Sequence, residues 1–268
     1  MMHRHGESDS ATVATKPANK AERSAAEPVE PRAEAEGNAS QQSTGRAQSR
    51  ETVSQALERI RQAARQRKKE KFTALLHHIS LELLGEAFFE LKEDAAPGVD
   101  GLTWRTYEAD LDRNLTDLHE RVHRGAYRAL PSRRVYIAKP DGRQRPLAGA
   151  ALEDKIVQQA VRTVLQCIYE QDFLGFSYGY RPGRGAHDAL DALYVGIKRR
   201  NVNWIIDADI RGFFDNISHE WLMKFLEHWI ADRRMLRLLK KWLRAGVSED
   251  GQWSPTKVGT PQGAVISP

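Results

Sequence analysis

Two carboxylates stand two residues apart in an otherwise apolar run, NWIIDADIRGFFDN, residues 203–216. If the run is a strand, period two puts Trp204, Ile206, Ala208 and Ile210 on one face and Ile205, Asp207 and Asp209 on the other. Two acids sharing one buried face without a cation would repel, and one would be driven to protonate. The arrangement suits a sheet surface beside a divalent metal. A tight turn and two aromatics, Phe213 and Phe214, follow Asp209, which places a flat apolar wall next to an acid ligand. Those parts hold a nucleoside triphosphate through its Mg²⁺ and press on its sugar. An isolated Asp-x-Asp is more often a strand end with solvated acids, so the surroundings have to decide.

The surroundings are rich in phosphate-type donors. Arg133, Arg134, Lys139, Arg143 and Arg145 crowd a hairpin-like stretch, RRVYIAKPDGRQRPL. Arg145 offers a charged fork that fits phosphate oxygens and Lys139 a mobile point charge; the plainer reading is two solvated hairpin cations. The loop Arg181-Pro182-Gly183-Arg184 is suited to a nucleic-acid backbone, against the alternative of a simple surface loop. Pro261-Gln262-Gly263 would let a backbone approach a neighbour closely, against the plainer reading of an ordinary turn. A further cluster, Arg59, Arg61, Arg65, Arg67, Lys68, Lys69 and Lys71, follows an Ala/Ser/Glu-rich start. The chain carries a formal charge of +5 and has a pI near 9.3, which favours a polyanionic partner without proving one.

These residues need elements to position them. Residues 1–50 hold almost no large apolar side chains and read as a disordered tail. Residues 51–71 read as a basic helix, and the stretch from Phe72 as a more apolar helix ending before Pro97 and Gly98. Leu111, Leu115, Leu118 and Val122 mark an amphipathic helix closed by Gly125. Leu152, Ile156, Val157, Ala160, Val161, Val164, Leu165 and Ile168 form the core face of another. A helix from about Ala186 leads into the acid run, Ser218 caps the next helix, and one more spans about 232–245. Asp250-Gly251 signals a second hairpin. Helices and strands mix without regular alternation, so the fold class is α+β. The single cysteine, Cys167, excludes an intrachain disulfide and a thiolate cluster. No stretch is long and apolar enough for a membrane span, and the tail fits neither a secretory signal nor a transit peptide; a soluble, cytoplasmic protein is expected.

Several blocks in order resemble the reverse transcriptases encoded by bacterial group II introns: PGVDGLTWRTYE, RRVYIAKPDGRQRPL, LEDKIVQQAV, FLGFSYGYRPGRGAHDAL, DADIRGFFDNISHEWL and GTPQGAVISP. The resemblance covers about residues 75–268 and implies the fingers and partial palm of a right-hand polymerase. On it, residues 51–95 are basic N-terminal helices and 96–268 the fingers and incomplete palm. It implies that Asp209 is the first catalytic acid and, with the backbone carbonyl of Ile210, a Mg²⁺ ligand. Phe214 becomes the gate against a ribose 2′-hydroxyl, Lys139 and Arg145 the triphosphate contacts, and Gln262 a dNTP or template contact. The expected partners are group II intron RNA, an RNA template with a DNA primer, and dNTPs, with no membrane. Arg65, Arg67, Lys68, Lys69, Arg181 and Arg184 are the expected RNA contacts. Two departures stand out. Ala148-Gly149-Ala150 follows the Arg-Pro-Leu block where the family continues with Gly-Ile, and Pro268 precedes the family's Tyr-x-Asp-Asp turn. An incomplete, inactive enzyme is therefore expected. A non-catalytic RNA-binding splicing cofactor is the alternative from another class, and a retron or diversity-generating reverse transcriptase is a third reading, which the YRPGR block disfavours.

Overall fold

The computed structural model describes residues 39–67, 70–138, 142, 144–200 and 202–260. Helix α1 (Ala39–Gln66) buries Val53, Leu57, Ile60 and Ala64, one stripe at helical spacing. It begins at Ala39, inside the stretch read as tail, and stops at Gln66 instead of running to residue 71. Extending a formed helix adds one hydrogen bond per residue fixed, so the backbone propagates ahead of its apolar stripe. Residues 1–38 lie outside the described residues. The residues from Gln42 onward form one compact unit; among the described residues the preceding unit, Met1–Gln41, contains only the start of α1.

The single apolar helix expected from Phe72 is broken. Phe72 pairs with Ile230 in a parallel bridge, Leu76–His78 form one 3₁₀ turn, and α2 (Leu81–Phe89) starts afresh on Ser80, whose hydroxyl accepts from Leu83 N at 3.2 Å. The break has a cause distant in sequence. Asp232 Oδ2 accepts from Leu75 N at 2.7 Å and Leu76 N at 2.9 Å, so these donors are satisfied outside any helix.

Around the central α5 (Leu152–Tyr169) pack α2, the short α3 (Trp104–Glu108) and α4 (Leu111–His123). Ile156, Val157, Ala160, Val161 and Val164 on α5 are wholly buried. Trp104 stacks on Phe88 with ring centroids 4.6 Å apart, and Arg121 clamps α4 to α5 through Glu153 at 3.0 and 2.6 Å. Gly98 explains one glycine of the PGVDG block, since a Cβ there would sit 2.4 Å from Ala151 Cα at the start of α5. Asp154, buried on the same helix, accepts from the Tyr127 hydroxyl and from Leu130 N; burial pushes its carboxyl up to about 6.

Strands β1 (Ser132–Ala138) and β2 (Gln144–Gly149) form the expected hairpin, registered from Arg133 opposite Gly149 to Ala138 opposite Gln144. β3 (Val247–Glu249) and β4 (Gln252–Ser254) form the second hairpin, and the four-stranded order is β2-β1-β3-β4. Asp250 and Gly251, both with positive φ (49° and 79°), make the tight turn that their types announced. β1 and β3 run parallel, with Ser132 opposite Val247. The remaining helices are α6 (Ala186–Arg199), α7 (Phe213–Asn216), α8 (His219–Trp229) and α9 (Arg233–Ala245). Helices and a small mixed sheet make the fold α+β.

One expectation fails plainly. Residues 202–210 are not a strand: they carry no ladder pairing among the described residues, and they are exposed rather than buried, with Trp204 at 89% and Ile206 at 90%. A strand exists only through the backbone groups of a neighbour, and no described strand lies beside this run.

Candidate functional site

Asp207 and Asp209 are both exposed on this unpaired run, and neither meets a described cation at ion-pair distance. Ile210, whose carbonyl the family would place on a metal, is 69% exposed. Gly212 then turns the chain with φ of 59°, and the single helical turn of α7 follows, held by Asn216 Nδ2 donating to Gly212 O at 2.8 Å. Phe213 is exposed and Phe214 half-buried, the two rings lying edge to face at 5.4 Å.

This turn is pinned to a segment far along the chain. Gly259 N donates to Ile217 O and Thr260 N to Phe214 O, each at 2.8 Å, and His219 Nε2 donates to Gly259 O at 2.6 Å. Gly259 has φ of 79°, and a Cβ there would fall 2.6 Å from Asp215 O. Only glycine permits that approach. The acid block and the first residues of the GTPQG block are thus joined at Phe214. Sequence reasoning saw both blocks but missed Gly259, Thr260 and His219 as the joint; a lone glycine before Thr-Pro was the available signal. A small cavity of about 90 Å³ lies beside the joint, lined by Asp215, Gly259, Thr260, Arg134 and residues 146–148 of β2. The base of the β1-β2 hairpin therefore reaches the turn that follows Asp209.

Other predicted residues are placed less closely. Lys139, Gln262, Lys68 and Lys69 lie outside the described residues. Arg145 pairs through its backbone with Ile137 on β1. On α1, Arg65 Nε donates to Gln171 at 3.1 Å, while Arg67 pairs with Glu70 at 3.5 Å and stays exposed.

The Arg-Pro-Gly-Arg loop corrects its reading. Arg181 is 8% exposed and turned inward: it meets Glu170 at 2.5 Å, donates to Leu174 O at 2.9 Å and Ser177 O at 2.8 Å, and lies over the Phe173 ring. Its guanidinium is spent folding the loop and has little left for phosphate. Arg184 donates to Gly175 O at 2.6 Å and remains half-buried over Tyr178. The loop ends where Gly185 N donates to Asp188 at 2.6 Å, at the start of α6. Sequence inspection also passed over α9, whose Arg233, Arg237, Lys240, Lys241 and Arg244 recur at helical spacing.

Hard oxygen donors such as the two aspartates suit Mg²⁺, yet among the described residues no group of three or more ligating side chains converges. No helix among the described residues is long and apolar enough to cross a membrane.

The family described as reverse transcriptase (RNA-dependent DNA polymerase) matches residues 137–268, which contain β2, the acid run and the Gly259 joint. Relatives narrow the class. The chain is 34% identical over 216 residues to the group II intron-encoded protein LtrA of Lactococcus lactis subsp. cremoris, covering 79% of this chain and 35% of that protein. It is 39% identical over 175 residues to protein YkfC of Escherichia coli, covering 64% and 46%. With the putative COX1/OXI3 intron 1 protein of Saccharomyces cerevisiae the identity is 31% over 194 residues, covering 70% and 22%. The chain thus spans less than half the length of these curated relatives. Residues 137–268 thus match the reverse transcriptase family, and the chain is similar to LtrA and to other intron-encoded proteins.

Proposed function

We propose that this chain supplies the fingers and one wall of the palm of an RNA-directed DNA polymerase acting on group II intron RNA. The observation that carries the reading is the joint at Phe214, where the turn after Asp209 meets Gly259 and Thr260 beside the base of the β1-β2 hairpin. In this reading Asp209 and the Ile210 carbonyl hold Mg²⁺, with Asp207 adding negative field from two residues away. Bound there, Mg²⁺ would lower the pKa of a primer 3′-hydroxyl and neutralise charge on a leaving pyrophosphate. Phe214, half-buried and fixed through its own carbonyl, stands where a sugar would press and excludes a 2′-hydroxyl by bulk. Lys139 and Arg145 contact the triphosphate, Gln262 contacts the dNTP or template, and Arg184 with Arg65, Arg67, Lys68 and Lys69 holds RNA backbone.

A two-metal centre needs carboxylates on a second wall. The proposal therefore places the family's Tyr-x-Asp-Asp acids opposite Asp209 in a longer polypeptide. The test is primer extension on an RNA template with Mg²⁺ and dNTPs. Residues 1–268 alone should give no cDNA. A polypeptide that also carries the Tyr-x-Asp-Asp segment should extend the primer, and Asp209→Ala in it should abolish extension while RNA binding stays within about twofold. Extension by residues 1–268 that persists in Asp209→Ala would overturn the assignment.

The non-catalytic RNA-binding reading has its own support in the cationic surface of the described residues, which does not depend on any carboxylate.

A further inference from the structure

α9 is a helix of thirteen residues whose two sides differ completely. Met235, Leu236, Leu238 and Leu239 are buried, with Trp242 and Leu243 packed against the core. At 100° per residue, Arg233, Arg237, Lys240, Lys241 and Arg244 fall within about a third of the circumference on the opposite side. The stripe runs about 16 Å along the helix at 1.5 Å per residue. An ordinary solvated face mixes both signs of charge. α9 has no acid at all, and its cap Asp232 is committed to four backbone N–H groups: Leu75, Leu76, Arg234 and Met235. Lys240 reaches Glu227 only at 3.9 Å, and no described carboxylate lies at ion-pair distance from Arg233, Arg237 or Arg244.

The loop before β1 adds to this surface. Lys241 Nζ donates to Gly125 O at 2.9 Å and Tyr127 O at 2.5 Å, which ties α9 to the loop carrying exposed Arg128. Burial, together with Arg237 and Arg128, pulls the Lys241 ammonium below its usual pKa, so three cations crowd one another there. At its other end α9 adjoins the region after α1. Phe72 N donates to Trp229 O, and Ala231 N to Phe72 O, both at 2.8 Å. That bridge sets Lys71 beside the strand of chain leading into Arg233.

We propose that the face of α9 bearing Arg233, Arg237, Lys240 and Arg244, joined by Arg128, is a second phosphate-contacting surface for structured RNA, adjoining the one that begins on α1. Uncompensated cations at this density destabilise the bare fold by mutual repulsion, and a polyanion relieves that repulsion while releasing counterions. A backbone-tracking surface fits RNA recognised by shape, because the stripe offers guanidinium forks and no aromatic platform for unstacked bases.

The inference rests on the RNA-binding part of the proposed function, and the test separates the two. A fluorescein-labelled RNA hairpin is titrated with the full chain across a salt series, using wild type, a triple variant Arg233→Glu/Arg237→Glu/Arg244→Glu, a milder triple Arg→Gln variant, and a reversal of Arg65, Arg67, Lys68 and Lys69. Far-ultraviolet circular dichroism checks folding, and the neutral variant serves if the reversed one unfolds. The expected result is at least a tenfold loss of affinity for the α9 reversal at low salt, with a salt slope shallower by about one unit per lost phosphate contact. Unchanged affinity and slope in both folded α9 variants, with loss only in the α1 reversal, would overturn the inference and leave the proposed function standing. No salt-sensitive binding by wild type would overturn both. Tighter wild-type binding to phosphatidylglycerol vesicles than to the hairpin, lost in the same triple variant, would reassign the face to a lipid surface and overturn the proposal.

Discussion

Two runs of this chain are comparably apolar and end up in opposite environments. On α5, Ile156, Val157, Ala160 and Val161 are fully buried, closed in by α2 and α4. From α6 to residue 210, Leu190, Tyr194, Trp204, Ile206 and Ile210 are between 60% and 90% exposed. Composition does not separate them. What differs is whether the described chain supplies a second layer, since one apolar face becomes a core only when another covers it. Burying each such side chain is worth about 1.5–3 kcal/mol, so the bare region holds a large unspent driving force. It is also where the acids stand. The well-packed part of the molecule thus presents a scaffold, and the run that carries the two acids is uncovered among the described residues.

Paired truncations sharpen that contrast most. Ile156→Ala should destabilise the fold by about 3–4 kcal/mol, through lost burial and a residual cavity. Ile206→Ala should change stability by less than about 0.5 kcal/mol in the same urea titration. Equal losses at the two positions would mean that residues 202–210 are packed in solution.

A pH titration breaks the comparison from the buried side. Burial raises the Asp154 carboxyl to about 6 from its usual 3.8. The folded state therefore holds this proton more tightly than the unfolded chain does. The resulting stability is fully present below about pH 4 and is lost as pH rises through 6, for a total of roughly 3 kcal/mol. Asp154→Asn should lower the baseline but flatten this slope between pH 4 and 7, measured by chemical denaturation.

A smaller effect is expected where the two parts of the scaffold are tied. Asp232 caps α9 and also takes the N–H groups of Leu75 and Leu76. Burial pushes its carboxyl up, but these four backbone donors outweigh it and hold the pKa below its usual value. Asp232→Ala should cost about 2 kcal/mol, seen as a lower urea midpoint, with earlier amide exchange in residues 72–79 than in α5.

The same contrast explains what was legible in the sequence. Local chemistry was: Asp250-Gly251 dictates its turn by positive φ, and the α5 stripe dictates a core helix. Non-local chemistry was not. Nothing near Leu75 announces that Asp232 will take its N–H, so an unbroken helix was the natural expectation. Nothing in Arg-Pro-Gly-Arg tells that Arg181 folds inward on Glu170 while Arg184 stays half-buried. The period-two pattern of 204–210 states which face each residue would take in a sheet, but it cannot supply the neighbouring strand. The two acids were legible by type, and the joint of the following turn to Gly259 and Thr260 was not, because close backbone approach leaves no trace beyond a glycine.

We propose that a second strand, by covering the Asp209 run, would make it one strand of a metal-holding wall. Amide hydrogen exchange of residues 203–210 tests this directly, compared between residues 1–268 and a longer polypeptide that adds the Tyr-x-Asp-Asp segment. Exchange near the unprotected rate is expected in the first and strong protection in the second, with α5 protected in both. Protection of 203–210 in residues 1–268, or equal lack of it in the longer polypeptide, would contradict it.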